Sequence, residues 1–328
     1  MGGVIGQLLA REQKAFLGRD RAAWGEHLSR VRAFLGAGLA RADRDQPLWV
    51  LGAGSGLEVP WSIAPPRTLG WDADPWSRLR TFLRHRRWPA WSFEDLTGGL
   101  ADLDRLARRC AREGWGRQRA RPLDKARSRL AGLLPSLPAE PEPLRRRLCV
   151  ERPGTILSAN VMGQFGSVAQ QLLAGRLGAW WEDPFPPEDL AAALEAWLAR
   201  LLRAQLQVLA GSGAELWLVY DRGVLHGGRD LSLGAWTDPW PDQVGGSGTA
   251  ELEDPWAGVD PGRELAAAGL ALHQRDRWLW PVAPGQTHLV EATAWQPALA
   301  VRRRVGTSHP GDDGGTAPFA VEPGVPGL

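Results

Sequence analysis

Three glycines, Gly52, Gly54 and Gly56, fall within five positions of the stretch LWVLGAGSGLEVP and break an apolar run. A glycine-rich turn between a strand and the helix after it lets backbone approach a ligand closely, and it presents free N–H groups at the positive end of that helix. Two acids follow at suggestive positions. Asp72 comes 20 residues after Gly52, at the close of the run RTLGW, where a carboxylate can accept from both hydroxyls of a ribose. Asp95 closes the next run, WPAWSFE, where it can accept from an adenine amino group. A lone glycine pair is satisfied by a tight turn without a ligand; three strand ends with these residue types point to a nucleoside-bearing ligand. A dinucleotide would require a third glycine where Leu57 stands, and the carboxylate of Glu58 would repel a pyrophosphate. The loop suits a ligand with a positive centre and an ammonium group.

Groups able to move a proton are few. Asp221 closes the run AELWLVYD, and His226 follows in the glycine-flanked DRGVLHGG; an imidazole titrates near neutrality. His226 is equally an ordinary loop histidine. Asn160 and Gln164, in SANVMGQF, offer hydrogen bonds to a substrate, although Gln164 also suits the first turn of a helix. The indoles of Trp180, Trp181, Trp236 and Trp240 could wall a flat or cationic substrate, with packing the commoner role.

The elements that must carry these residues alternate. Residues 21 to 40 form an amphipathic helix with Trp24, Leu28, Val31, Phe34 and Leu35 on one face. Strands are expected at PLWVLGAG, from Arg67 to Trp71, at WPAWSFED, from Gly154 to Asn160 and at AELWLVYD, with a helix capped by Asp74 and opened by Pro75 after the second. Strands separated by helices at this spacing predict βαβ units and a parallel sheet. PEDLAAALEAWLARLLRAQLQVLAG is the strongest helix, with Leu190, Leu194, Trp197, Leu198, Leu201, Leu202 and Leu209 along one side. GGSGTAELEDPWAGVDPG reads as a loop, and RWLWPVAPGQTHLVEATAW as an antiparallel hairpin turning at Pro284 and Gly285.

The segments WVLGAGSGLEVP, LGWDADP, FEDLT and ILSANVMGQFG resemble the successive motifs of class I S-adenosylmethionine-dependent methyltransferases. The resemblance runs from about Leu48 to Asp221 and includes the closing hairpin, whose reversed last strand is a hallmark of that fold. It implies a three-layer α/β sandwich around a mostly parallel seven-stranded sheet with an antiparallel last strand, and S-adenosyl-L-methionine as cofactor. Gly52, Ala53, Gly54, Ser55 and Gly56 would pass under its methionine part. Asp72 would hold the ribose, with Ala73 and Asp74 beside the adenine and Asp95 and Leu96 at its edge. Asn160, Val161 and Met162 would lie near the sulfonium. The fourth strand lacks the prolines and following aromatic of amino-directed nucleic-acid methylases, and it has no cysteine for a covalent adduct at pyrimidine carbon 5.

Methyl transfer to a small molecule or protein side chain is the expected function, with Asn160, Asp221 and His226 as catalytic candidates and Gln164 as a substrate contact. The alternatives are an RNA methyltransferase, a cofactor-binding regulatory protein without turnover, and a dehydrogenase, which Leu57 disfavours. The RNA alternative comes from residues 105 to 152, which hold 13 Arg and 1 Lys against 5 acids, a net charge of +9, with Trp115 as the only aromatic residue. This stretch is expected as a basic helical insertion before strand four, following an N-terminal helical segment over 1–45 and lying within a main domain over 46–304. The tail from Val305 holds 10 Gly or Pro in 24 residues and is expected to be disordered. Cys110 and Cys149 have neither metal-ligand spacing nor a disulfide framework. With no secretory or membrane segment in the sequence, a reduced cytoplasmic setting is the simple expectation.

Overall fold

The computed structural model describes residues 21–54, 56–87, 89–114, 122–177, 188–226, 251–283 and 285–298. Its strands are β1 (Leu48–Leu51), β2 (Thr68–Trp71), β3 (Ala90–Ser92), β4 (Thr155–Ala159), β5 (Glu215–His226), β6 (Glu251–Glu253), β7 (Leu270–Ala283) and β8 (Gln286–Pro297). Its helices are α1 (Arg21–Arg41), α2 (Ser77–His85), α3 (Leu100–Gly114), α4 (Pro122–Leu133), α5 (Glu142–Glu151), α6 (Phe165–Leu177), α7 (Glu188–Ala210) and α8 (Pro261–Ala267).

Every residue of β1, β2 and β4 is buried. Strands this short and apolar on both faces can only be satisfied inside a parallel sheet covered by helices. The sheet order is β3-β2-β1-β4-β5-β8-β7. β1 to β5 run parallel, whereas β8 lies antiparallel between β5 and β7. The expected seven-strand path with its reversed last strand is therefore present. An eighth strand, β6, pairs antiparallel with the far end of β5. Its three residues, Glu-Leu-Glu, sit in a stretch read from sequence as loop, and only their partner strand makes them a strand.

Two apolar layers cover the sheet. On one face α1 places Val31, Phe34 and Leu35 over Val50, Leu157 and Trp217. On the other, α3 to α8 bury Trp49, Leu51, Ile156 and Leu216. The predicted apolar side of α7 is buried at every named position from Leu190 to Leu209. Among the described residues no helix is long and apolar enough to cross a membrane.

One expected helix start is corrected. α2 begins at Ser77 rather than at Pro75. Asp72 accepts from the Asp74 N–H, and Asp74 in turn accepts from the Trp76 N–H at 2.9 Å. These consecutive carboxylate turns hold the chain out of the helix for two more residues.

The arginine-rich stretch contains α4, α5 and most of α3. Many of its guanidiniums are matched by carboxylates: Arg108 with Asp104, Arg145 with Glu140, and Arg146 and Arg147 with Glu94. Arg105 also pairs with Asp102. The tail from Val305 and the indoles of Trp180, Trp181, Trp236 and Trp240 lie outside the described residues.

Candidate functional site

A small open cavity lies at the C-terminal ends of the first four strands. This is where parallel α/β sheets bind ligands, at the point between β1 and β4 where the strand order reverses direction. Gly52 and Val161, which follow β1 and β4, form one side. Asp72 and Ala73 follow β2, and Asp95, Leu96 and Thr97 follow β3. The far wall is apolar, built from Leu100 of α3 and from Phe165 and Val168 of α6, with Gln164 beside them.

The glycine turn has φ of +65°, +51° and +70° at Gly52, Gly54 and Gly56, the left-handed region that side chains resist. A Cβ on Gly52 would lie 2.4 Å from that of Val161, and one on Gly56 2.7 Å from Thr81 Oγ1. Both glycines are thus required by the fold itself, before any ligand is considered. Gly54 has a different task. Its N–H donates to Asp72 Oδ2 at 2.7 Å, while Asp74 N–H donates to Oδ1 at 2.7 Å. The carboxylate is fixed at the cavity by both bonds, and burial pushes its pKa up to about 6. A carboxylate has about four acceptor positions, so acceptor capacity remains for a ligand beyond these two bonds and the nearby Ser77 hydroxyl.

Asp95 also has a second role. Oδ1 accepts from the N–H and hydroxyl of Thr97, and Oδ2 from the N–H of Ala101, which satisfies the start of α3. It still lines the cavity.

Of the residues expected from sequence, Gly52, Asp72, Ala73, Asp95, Leu96, Val161 and Gln164 are brought together here. Ala53 and Gly54 are buried within the turn, and Gly56 faces Thr81 and Trp61. Asp74 is turned toward α2, 2.5 Å from Arg80. Met162 is buried in the core under α6. Ser55 lies outside the described residues. Thr97, Leu100, Phe165 and Val168 were not foreseen, although Phe165 and Val168 carry the helical i, i+3 spacing that would have indicated them.

A second polar cluster lies where β4 and β5 end. Asn160, at φ +49°, donates from Nδ2 to Asp221 Oδ2 at 2.7 Å and accepts the Asp221 N–H at 3.0 Å. His288 Nδ1 lies 3.0 Å from the same Oδ2. The imidazole and the Asn160 amide hold the Asp221 carboxyl below the usual range against the opposing effect of burial; Asp221 in turn raises His288 above 6.5. His27 of α1 adjoins this cluster, stacked on Trp280 with centroids 3.7 Å apart and accepting from Trp278 Nε1 at 3.2 Å. His226 is placed elsewhere. It ends β5 in a half-exposed position, 3.2 Å from Glu253, and does not line the cavity.

Comparison with protein-family models and with curated proteins finds no match. Solved structures that are similar at low level include these two. One, from work on the conversion of a disulfide bond into a thioacetal group during echinomycin biosynthesis, is 12% identical, with 86% of this chain and 88% of that chain covered and a TM-score of 0.31. The other, a TehB-like SAM-dependent methyltransferase from Corynebacterium glutamicum, is 16% identical, with 83% of this chain and 98% of that chain covered and a TM-score of 0.25.

Proposed function

We propose that the chain is an S-adenosyl-L-methionine-dependent methyltransferase acting on a small molecule or a protein side chain. The observation that carries this reading is the Asp72 carboxylate, fixed by two backbone N–H groups at a cavity whose remaining walls are largely apolar. A purine nucleoside needs such a site: a flat apolar slot with an acceptor at the ribose end. The residues present fit the cofactor. Asp72 would take the ribose hydroxyls, Ala73, Leu96, Val161 and Phe165 would flank the ring, and the Gly52–Gly56 turn would face the methionine part. The reversed β8 supports the same reading against a dehydrogenase, whose dinucleotide sheet continues parallel through its sixth strand.

The cofactor supplies a methyl group on a sulfonium, open to in-line displacement. The chain's contribution is alignment, and holding both reactants in one geometry accounts for a large part of the barrier in reactions of this kind. The ion pairs made by Arg105, Arg108, Arg145, Arg146 and Arg147 occupy guanidiniums that RNA phosphates would need, which supports a small acceptor over RNA docked there.

Calorimetric titration with S-adenosylhomocysteine tests the reading. Micromolar binding is expected, weakened tenfold or more, about 1.4 kcal/mol, in Asp72→Ala. No binding by folded native protein would withdraw the methyltransferase reading.

A further inference from the structure

Helix α2 is put together the opposite way from a helix that covers a core. Its inward side chains are Ser77 and Thr81, both fully buried, with Thr81 set against the glycine turn at Gly56. Its outward stripe is apolar. Trp76, which immediately precedes the helix, is 60% exposed, Leu83 is 56% exposed, and Leu79 lies half-buried between them. Positions 76, 79 and 83 follow the spacing of one helical face, and Trp76 and Leu83 stand about 10 Å apart along the axis. An amphipathic helix normally turns such a stripe to the core. The elements on either side repeat the pattern: Ile63, in the turn that Arg87 binds, and Phe93, just past β3, are exposed as well. Apolar residues scattered singly need no explanation, whereas four large ones on and beside one short helix mark a contact surface.

The charge of this surface is one-sided. From Pro75 to Phe93 the sequence holds five arginines, one histidine and no acid. Asp74, just before this segment, is 2% exposed and pairs with Arg80. Other guanidiniums are held by carbonyl oxygens, which fix a side chain without cancelling its charge: Arg78 on Pro89, Arg87 on Trp61, and Arg32 of α1 on Leu57 at 2.6 Å. Partial burial draws the pKa of Arg84 down, and the like charges of Arg32 and Arg80 draw it further the same way. Cations from two helices are thus crowded beside the apolar stripe, and a carboxylate laid among them would relieve the crowding.

We propose that α2 is the docking site for a partner protein whose contacting segment is acidic and apolar in alternation, its apolar anchors seated on Trp76 and Leu83 and its carboxylates among Arg32, Arg80 and Arg84. This binding function is separate from methyl transfer and does not rest on it. Charge complementarity selects an acidic partner. The stripe selects protein over nucleic acid, because Leu79 and Leu83 have no π face on which a base can stack, whereas tryptophan and arginine are the residues enriched among the anchors of protein interfaces.

The probe is a synthetic helical peptide with leucines at i, i+3 and i+7 and glutamates at the flanking positions. Its controls are the same peptide with lysine for every glutamate, a polyuridine oligonucleotide, and vesicles of anionic phospholipid. Binding to the full chain is read by fluorescence anisotropy, and the contact is mapped by hydrogen exchange. The glutamate peptide is expected to bind and to slow exchange across α2 while α5 is unchanged. Trp76→Ala and Arg84→Glu should each weaken binding about tenfold or more, and Val150→Ala, at an exposed position of α5, should leave it unaltered. The native unfolding temperature is expected in all three, and Leu83→Ser gives a second reading of the stripe if Trp76→Ala fails to fold. No binding of the glutamate peptide by folded chain, equal binding of the lysine peptide, native affinity in the α2 variants, or protection confined to other elements would each overturn the proposal. Tighter binding of the oligonucleotide or the vesicles would overturn it too, as would self-association of the native chain that Leu83→Ser abolishes, since the occupant would then be a second copy.

Discussion

From β3 through β4 in the sheet the strands have three to five residues and hand over to tight turns at a common edge; beyond β4, β5, β7 and β8 run for 12 to 14 residues. The short-strand half makes its site from backbone. Glycines at positive φ, carboxylates bound to backbone N–H groups and the first turns of α3 and α6 create the cavity. The long-strand half makes its polar cluster from side chains that meet only because two antiparallel strands are in register, as His288 and Asp221 do. The cavity is thus held largely by backbone groups, while the polar cluster of the long-strand half depends on side chains that meet across strands.

Substitutions that act on one half alone would break or sharpen this contrast. The largest effect is expected at Gly52. Gly52→Ala adds a Cβ that meets Val161 at 2.4 Å in a left-handed conformation, which should cost about 3 kcal/mol in urea unfolding. A cost near zero would mean that the turn relaxes freely. Asn160→Ala strips the Asp221 N–H and carboxylate of their partner and should cost about 2 kcal/mol, while affinity for S-adenosylhomocysteine stays within twofold. A parallel loss of affinity would join the two halves into one site.

The next effect depends on pH. If only ionised Asp72 accepts the ribose, affinity falls about tenfold, or 1.4 kcal/mol, for each unit below about 6, and the fall disappears in Asp72→Asn. The long-strand half responds at other pH values. The stabilisation from His288 is fully present below 6.5 and is lost as pH rises through its raised folded value, whereas that from Asp221 is lost as pH falls below the usual carboxylate range. Thermal unfolding of His288→Gln across pH 6 to 9 should be flatter than that of the native chain. The smallest effect is expected at half-exposed His226, whose pair with Glu253 is a surface contact; His226→Ala should stay within about 0.5 kcal/mol.

The same contrast explains what the sequence discloses. The glycine turn, Asp72, Asp95 and their neighbours Ala73 and Leu96 were legible because each sits at the end of an apolar run, a property of a few consecutive residues. The fold class followed from the alternation of those runs with helices. Asp74, expected beside the adenine, does not line the cavity: its partners Trp76 N–H and Arg80 emerge only with the turn geometry. His288 went unnoticed for a different reason. It shares an alternating face with Val290, Ala292 and Ala294, which marks it as inward-facing, but nothing in the chain says which residue of β5 lies opposite. β6 was hidden in the same way, since three residues gain strand character only from a partner.

The burial of Asp72, which outweighs the opposing bond from the Gly54 N–H, has a calorimetric consequence. Near pH 6 about half of the free molecules hold a proton on that carboxylate. A ligand that requires the anion must expel this proton into the buffer on binding. The heat measured at pH 6 would then follow the ionisation enthalpy of the buffer with a slope of about half a proton, and at pH 8 the dependence on buffer would vanish.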